Sequence, residues 1–335
     1  MKKSPRNIVI SRTDSIGDVV LTLPLAGIIK KQFPDCKVYF LGSTYTLPII
    51  ACCPHVDVAW DWKKNQEESK FIQLLKEHEI DTFLHVFPNK TLAKWVKKAK
   101  IRLRVGTSHR LYHLFTCNVR VNFTRKNSDL HEAQLNTKLL QPFIGIDQSF
   151  TLNELHQFLA FKTPQTTSLP ITLNPKKINI IFHAKSQGSA IEWGMENFAQ
   201  LANELDENKV DIYFTGTEKE GELIGDVIPK KDNIFDVTGK FSLTELIAFI
   251  SKANLLIAAS TGPLHLAGVQ GILTIGLFAD QRPIHPGRWQ PLGPHVKIIS
   301  TKNNLIPNQP LSISVREVKE SINAMLIKED KPSEN

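Results

Sequence analysis

Apolar runs of strand length recur along the chain, and helical patterns separate them. In the first half the runs are Ile8-Val9-Ile10, Val38-Tyr39-Phe40-Leu41, Phe83-Leu84-His85-Val86-Phe87 and Ile101 to Val105. A helical pattern fills 17–32 between the first two, and another, 67–78, precedes the third. In the second half the runs are Ile178 to Phe182, Val210 to Phe214, Leu255-Leu256-Ile257 and Leu273 to Phe278. Helical stretches lie there at 194–206, 219–227 and 242–252. Apolar strands alternating with amphipathic helices predict an α/β protein with parallel sheets covered on both faces. The stretch 162–177, rich in Pro, Thr and Lys and weakly periodic, reads as a linker. The pattern thus predicts domains over 1–161 and 178–327 and a polar tail over 328–335.

The length of 335 residues agrees with two domains of roughly 100–200 residues each. Cys36, Cys52, Cys53 and Cys117 form no Cys-x-x-Cys or Cys/His spacing, which argues against a disulfide scaffold or a structural zinc site and fits a reducing compartment. No carboxylate cluster points to a tightly held metal, so none is predicted. At the N-terminus, Lys2, Lys3 and Arg6 imitate the start of a signal peptide, but Arg12 and Asp14 end the apolar run at once. The run Val19 to Ile29 contains Thr22 and Pro24 and falls short of the roughly 20 residues of a membrane span. A cytoplasmic protein is expected, with peripheral contact at the inner face of the cytoplasmic membrane left open.

Charge sharpens that last point. The chain carries a formal +8, yet residues 1–160 hold 23 basic and 14 acidic side chains, against 18 and 19 in 161–335. Between Asp81 and Asp129 there is no acidic residue, while eleven basic ones, Lys90 to Lys126, occupy the interval. Within it Leu92, Trp95, Val96 and Ala99 have the spacing of a helix buried on one face. The interval is either a solvated surface or a field for an anionic partner: a phosphorylated glycolipid, a membrane or nucleic acid. Nucleic acid is the weakest choice, because Trp95, Tyr112, Phe115 and Phe123 fall into no recognisable nucleic-acid-binding motif.

Ligands of open parallel sheets bind beyond the carboxyl ends of the strands, so the loops there come first. After the first strand comes SRTDSIGD, 11–18. Ser15 and Asp18 have the spacing of a helix capping box, and Asp18 equally suits a general base at a site mouth. After Leu255-Leu256-Ile257 comes AASTGPLHLA, 258–267. Hydroxyls, Gly262-Pro263 and a helical pattern describe either an ordinary strand-to-helix turn with a buried His265 or a phosphate-binding helix N-terminus. Lys185, in the loop after Ile178 to Phe182, can hold a phosphate. Glu220, after Val210 to Phe214, can accept ribose hydroxyls; loop charge explains either equally well. The chain lacks the Gly-x-Gly-x-x-Gly and Walker-type loops of dinucleotide and P-loop enzymes.

With these loops in view, the chain resembles the family 9 glycosyltransferases, the lipopolysaccharide heptosyltransferases and their relatives. The resemblance rests on SRTDSIGDVVLTLPL (11–25), FHAKSQGSAIEW (182–193), FTGTEKE (214–220), STGPLHLAGVQGILTIGLFA (260–279) and RPIHPGRWQPLG (282–293), in family order. It implies a GT-B architecture, two Rossmann-like domains with parallel sheets facing a central cleft. It also implies inverting transfer of a sugar, heptose from ADP-heptose, to the lipopolysaccharide inner core. The nucleotide sugar is then a substrate, with no obligatory cofactor, and the acceptor is an anionic glycolipid.

By resemblance, Asp18 falls where the family has its proposed catalytic base. Lys185, Ser186, Glu220, Ser260, Thr261, Gly262, Pro263 and His265 fall in its donor-binding loops. Arg102, Arg104, Arg110 and His131 are candidate acceptor contacts; for His131 a cap or core role is equally open. Two positions depart from the family pattern: Ser260 stands where many members have Asp, and Ile191 where a basic residue is common. The second loss shifts weight onto Lys185, with Arg282 and Arg288 as candidate phosphate contacts. A nucleotide-sugar epimerase of the same fold and a non-catalytic nucleotide-sugar-binding protein are the alternatives.

Overall fold

The computed structural model describes residues 4–126, 128–145, 148–165, 168–282, 284–301 and 309–329. Of the predicted tail, 330–335 lie outside the described residues. The chain divides into two units, Met1–Lys162 and Thr163–Asn335.

The first unit is built on β1 (Asn7–Ser11), β2 (Lys37–Gly42), β3 (Val58–Asp61), β4 (Thr82–His85), β5 (Leu103–Thr107) and β6 (Val119–Val121). All pairings are parallel, in the order β3-β2-β1-β4-β5-β6. Ile8, Val9 and Ile10 are each inaccessible to solvent, so both faces of β1 are covered. The order reverses beside β1, and Ser11 pairs with His85 where β1 and β4 end. The loops after these two strands therefore flank the unit's topological switch point, where ligands of such sheets bind.

The second unit repeats the plan with β7 (Ile178–His183), β8 (Val210–Phe214), β9 (Ile234–Asp236), β10 (Leu255–Ala259), β11 (Leu273–Ala279) and β12 (Val296–Thr301). Its parallel order is β12-β11-β10-β7-β8-β9. The switch point lies between β7 and β10, which places residues 184–193 and 260–265 side by side. Trp193 closes the core beneath, fully buried, with its indole N–H donating to the Ile313 carbonyl at 2.7 Å.

The helix predicted over 17–32 is two helices, Ile16–Val20 and Pro24–Gln32. Pro24 has no N–H to continue the first ladder but suits the opening turn of the second. Other helix starts follow the sequence closely. Thr151 with Glu154, Thr217 with Glu220 and Ser242 with Glu245 each form a reciprocal capping box. Among the described residues, no helix is long and apolar enough to cross a membrane.

Candidate functional site

Asp18 lies in the first turn of Ile16–Val20, just beyond the end of β1. Its side chain keeps 17% of its surface exposed. The Ser15 hydroxyl donates to Oδ2 at 2.5 Å, and Arg12 donates through Nη2 to Oδ1. Ser15 stands at the N-cap but makes no side-chain capping bond, so 15 and 18 are not the capping box that their spacing allows. A hydroxyl beside an ionised carboxylate donates to it, because a charge-assisted bond is the stronger one.

Arg12 is the hub of this loop. Its side chain is 6% exposed; Nε reaches Asp14 Oδ1 at 2.8 Å, and Nη1 lies 3.5 Å from Glu132 Oε1. The guanidinium also lies over the Phe87 ring, 5.9 Å from its centroid. Burial pushes the Arg12 pKa down, while Asp14 and Glu132 resist that shift; burial likewise raises the Asp14 pKa against the pull of Arg12. Glu132 is fully buried and accepts from Arg125 Nε at 2.8 Å. Arg125 then donates to Asn136 Oδ1 at 2.8 Å, and Asn136 Nδ2 to the Leu21 carbonyl and the Thr22 hydroxyl at 3.1 Å each. Thr22 returns to the Asp18 carbonyl at 2.8 Å. Two arginines thus serve three carboxylates in one connected network. Asp18, partly open to solvent, is oriented by Ser15 and Arg12.

The second unit presents a helix start at its own switch point. Thr261 stands at the N-cap of Gly262–Gln270 in extended backbone, with no side-chain capping bond. Its Oγ1 is buried and has no hydrogen-bond partner among the described residues. A buried hydroxyl without a partner at a helix start, beside N–H groups that the helix cannot satisfy, suits an anionic oxygen. His265, one turn further on, is buried. The Ser189 hydroxyl reaches the Ser260 carbonyl at 3.5 Å, tying the loop after β7 to this turn.

Glu192 organises that loop. Its Oε2 pairs with Lys185 Nζ at 2.5 Å, and its Oε1 accepts from the Ser186 N–H at 2.8 Å and the Ser186 hydroxyl at 3.1 Å. Lys185 is thereby positioned and partly neutralised. Glu220 is buried, and its Oε2 accepts from the Thr217 N–H at 2.6 Å as the acid of a capping box. His183, at the end of β7, shares a hydrogen bond with the Thr215 hydroxyl at 3.0 Å. Burial lowers its pKa while Glu220 opposes the shift, so the ring is neutral near pH 7.

A cavity of about 230 Å³ opens next to the 260–265 turn, lined among others by Ala190, Ile191, Ser260, Phe278, Arg282 and Ile284. Both positions that depart from the resemblance, Ile191 and Ser260, therefore face the same space, and Arg282 contributes to its wall. Arg288 stacks over Trp289, 4.9 Å from the ring centroid, within the short helix Pro286–Trp289.

Three of the candidate acceptor contacts have structural partners, and for His131 the structure shows the cap role left open above. Arg102 lies before β5, where its Nη2 reaches the Ser4 carbonyl at 3.4 Å and lies 3.7 Å from Asp81. Arg104 is bonded to the Thr116 and Ile101 carbonyls at 2.8 and 2.5 Å. His131 is buried, and its Nδ1 accepts from the Ala133 N–H at 3.2 Å as the N-cap of Glu132–Thr137. Arg102 and Arg110 are both exposed, and Arg110 lies beyond the carboxyl end of β5. Arg12, Arg125, Asn136 and Glu192 escape a reading of the sequence, as does the ion pairing of Glu132. The one local signal is Glu132 at a helix start, which looks like a response to the helix dipole.

The family model described as glycosyltransferase family 9 (heptosyltransferase) matches residues 69–313. A Haemophilus influenzae relative, named no more finely than a candidate glycosyltransferase, is 28% identical over 85% of this chain and 86% of its own length. The lipopolysaccharide core heptosyltransferase OpsX of the same organism is 22% identical, over 84% of this chain and 81% of its own. Among solved structures, the Escherichia coli ADP-heptose lipopolysaccharide heptosyltransferase II superposes with a TM-score of 0.77 at 17% identity. The match spans 97% of this chain and 100% of that one, which shows a shared GT-B fold.

Proposed function

The chain belongs to glycosyltransferase family 9 and is a glycosyltransferase, and from that premise we propose that it moves a heptosyl group, with inversion, from ADP-heptose to the inner core of lipopolysaccharide. The names of the relatives support the donor and the acceptor class. The observation that carries the donor side is the buried, unpartnered Thr261 hydroxyl at a helix N-terminus on the switch point of the second sheet.

In this reading the acceptor hydroxyl attacks the anomeric carbon from the face opposite the nucleotide. The new C–O bond forms as the bond to the diphosphate oxygen breaks, and that bond's electron pair leaves with ADP. Asp18 takes the hydroxyl proton, held for the task by Ser15 and Arg12. The Thr261 hydroxyl, the first amides of Gly262–Gln270 and Lys185 receive the growing charge on the diphosphate, an electrostatic contribution of a few kcal/mol. Ser260 and Ile191 put neutral side chains in the cavity beside this turn, so the donor draws on Arg282 in its wall and on Lys185 in the loop after β7. The acid-free interval 82–128 favours an anionic glycolipid as acceptor.

Incubating the protein with ADP-heptose labelled in the sugar and with extracted core glycolipid tests the proposal. Label in the lipid fraction, with ADP released in equal amount, is the expected result. Label that stays in free nucleotide sugar, intact or epimerised, overturns it. Nucleotides alone should rank the same way in thermal shift, with ADP raising the melting temperature more than UDP or GDP.

A further inference from the structure

Residues 109–116, which follow β5, present their polar and apolar side chains the wrong way round for a soluble surface. Leu111, Leu114 and Phe115 are 81%, 47% and 73% exposed, whereas His113 and Thr116 are buried. Both inward residues make hydrogen bonds: His113 Nδ1 is 2.9 Å from the Thr107 carbonyl, and the Thr116 hydroxyl donates to the Tyr112 carbonyl at 2.8 Å, while His113 Nε2 is buried with no partner among the described residues. Spacings of three and four residues bring the apolar side chains to one side of the short helix His113–Thr116. Core packing does not explain an apolar face that the fold turns outward.

The surroundings are cationic. Arg110 and Arg120 are exposed, and Arg120 Nη1 lies 3.5 Å from the Leu114 carbonyl and 3.4 Å from that of Cys117, against the patch itself. The helix Lys90–Lys98 packs against this segment and keeps Lys94 and Lys97 exposed. No acidic residue lies between Asp81 and Asp129. Bulky apolar side chains within a cationic belt match a partner with hydrocarbon beneath a plane of negative charge.

We propose that residues 109–116 are a bilayer anchor: Leu111, Leu114 and Phe115 enter the acyl boundary of a leaflet containing anionic phospholipid, and Arg110 and Arg120 engage headgroup phosphates. This surface acts whichever sugar the enzyme transfers, and its test requires no donor or acceptor.

The full chain is mixed with vesicles of phosphatidylcholine alone, or containing phosphatidylglycerol, and bound protein is measured by flotation. Binding is expected to the phosphatidylglycerol vesicles, to weaken with salt, and to be slight on phosphatidylcholine. The double variant Leu111→Ser/Phe115→Ser should bind at least about tenfold more weakly. Leu223→Ser, which removes a 71% exposed leucine in the second unit, should bind as the unsubstituted chain does. An environment-sensitive fluorophore on Phe115→Cys should shift to the blue with the same vesicles, which reads insertion directly. No binding, binding unchanged in the double variant, or an unshifted fluorophore on bound protein each overturns the proposal. So does a lipid-free dimer that the double variant converts to monomer, since the occupant would then be a second copy of the chain.

Discussion

At the scale of single residues, charge pairing decides what the first loop can do. Arg12 lends one positive charge to Asp14, Asp18 and Glu132, and Arg125 shares the last of these. Replacing Glu132 by Gln takes a buried acid from between Arg12 and Arg125, both of which pair with it. Urea unfolding of Glu132→Gln should show a loss of about 3–5 kcal/mol, the usual cost of breaking a buried ion pair. None of this network is visible in one dimension, because Arg12 and Glu132 lie far apart in the chain and each reads as surface charge. His85 is a second case. It sits in an apolar strand run, fully buried, its ring nitrogens without hydrogen-bond partners among the described residues, and burial pushes its pKa down to about 3. Above its ordinary value of 6.5 the ring is neutral folded or unfolded; below it, only the unfolded chain takes up the proton. Stability contributed by the neutral ring is therefore lost as pH falls from 6.5 toward 3, by about 2 kcal/mol at pH 5 for this one group. In His85→Leu the drop in unfolding free energy between pH 7 and pH 5 should shrink by about that amount; an unchanged drop would place the proton uptake elsewhere.

At the scale of elements, the sequence is legible wherever burial is complete and silent where it is partial. The eight strands expected from apolar runs are all present, with ends moved by a few residues. The four not anticipated, β3, β6, β9 and β12, are the edge strands of the two sheets. They carry Asp61, Arg120, Asp236 and Lys297, as edges paired on one side tolerate charge, and three of them are four residues or fewer. The donor loops were legible in outline, since Gly262-Pro263 after a buried strand marks a helix start, but the pairing of Lys185 with Glu192 was not. Thr261 gives this element its test. Thr261→Val keeps the shape and removes a hydroxyl that bonds nothing among the described residues, so thermal stability should hold or rise. Affinity for ADP, measured by calorimetry, should fall by about 10–100-fold, the value of one hydrogen bond to a charged group. Lower stability with unchanged ADP affinity would make the hydroxyl a structural one.

Across the whole molecule, two sheets of the same order divide the proposed chemistry, one carrying Asp18 and the other the turn at Thr261. The uneven charge follows that division, and the basic unit also bears the outward-facing apolar segment. The charge was accessible from composition; the outward turn of Leu111, Leu114 and Phe115 was not, nor were the carbonyl bonds that set Arg102 and Arg104 apart from Arg110. The most direct measurement compares unsubstituted protein with Asp18→Asn in sugar transfer from ADP-heptose to core glycolipid, alongside ADP binding by each. Turnover should fall by about 10²–10⁴-fold while ADP binds with equal affinity. Equal turnover in the two proteins would remove Asp18 from the reaction.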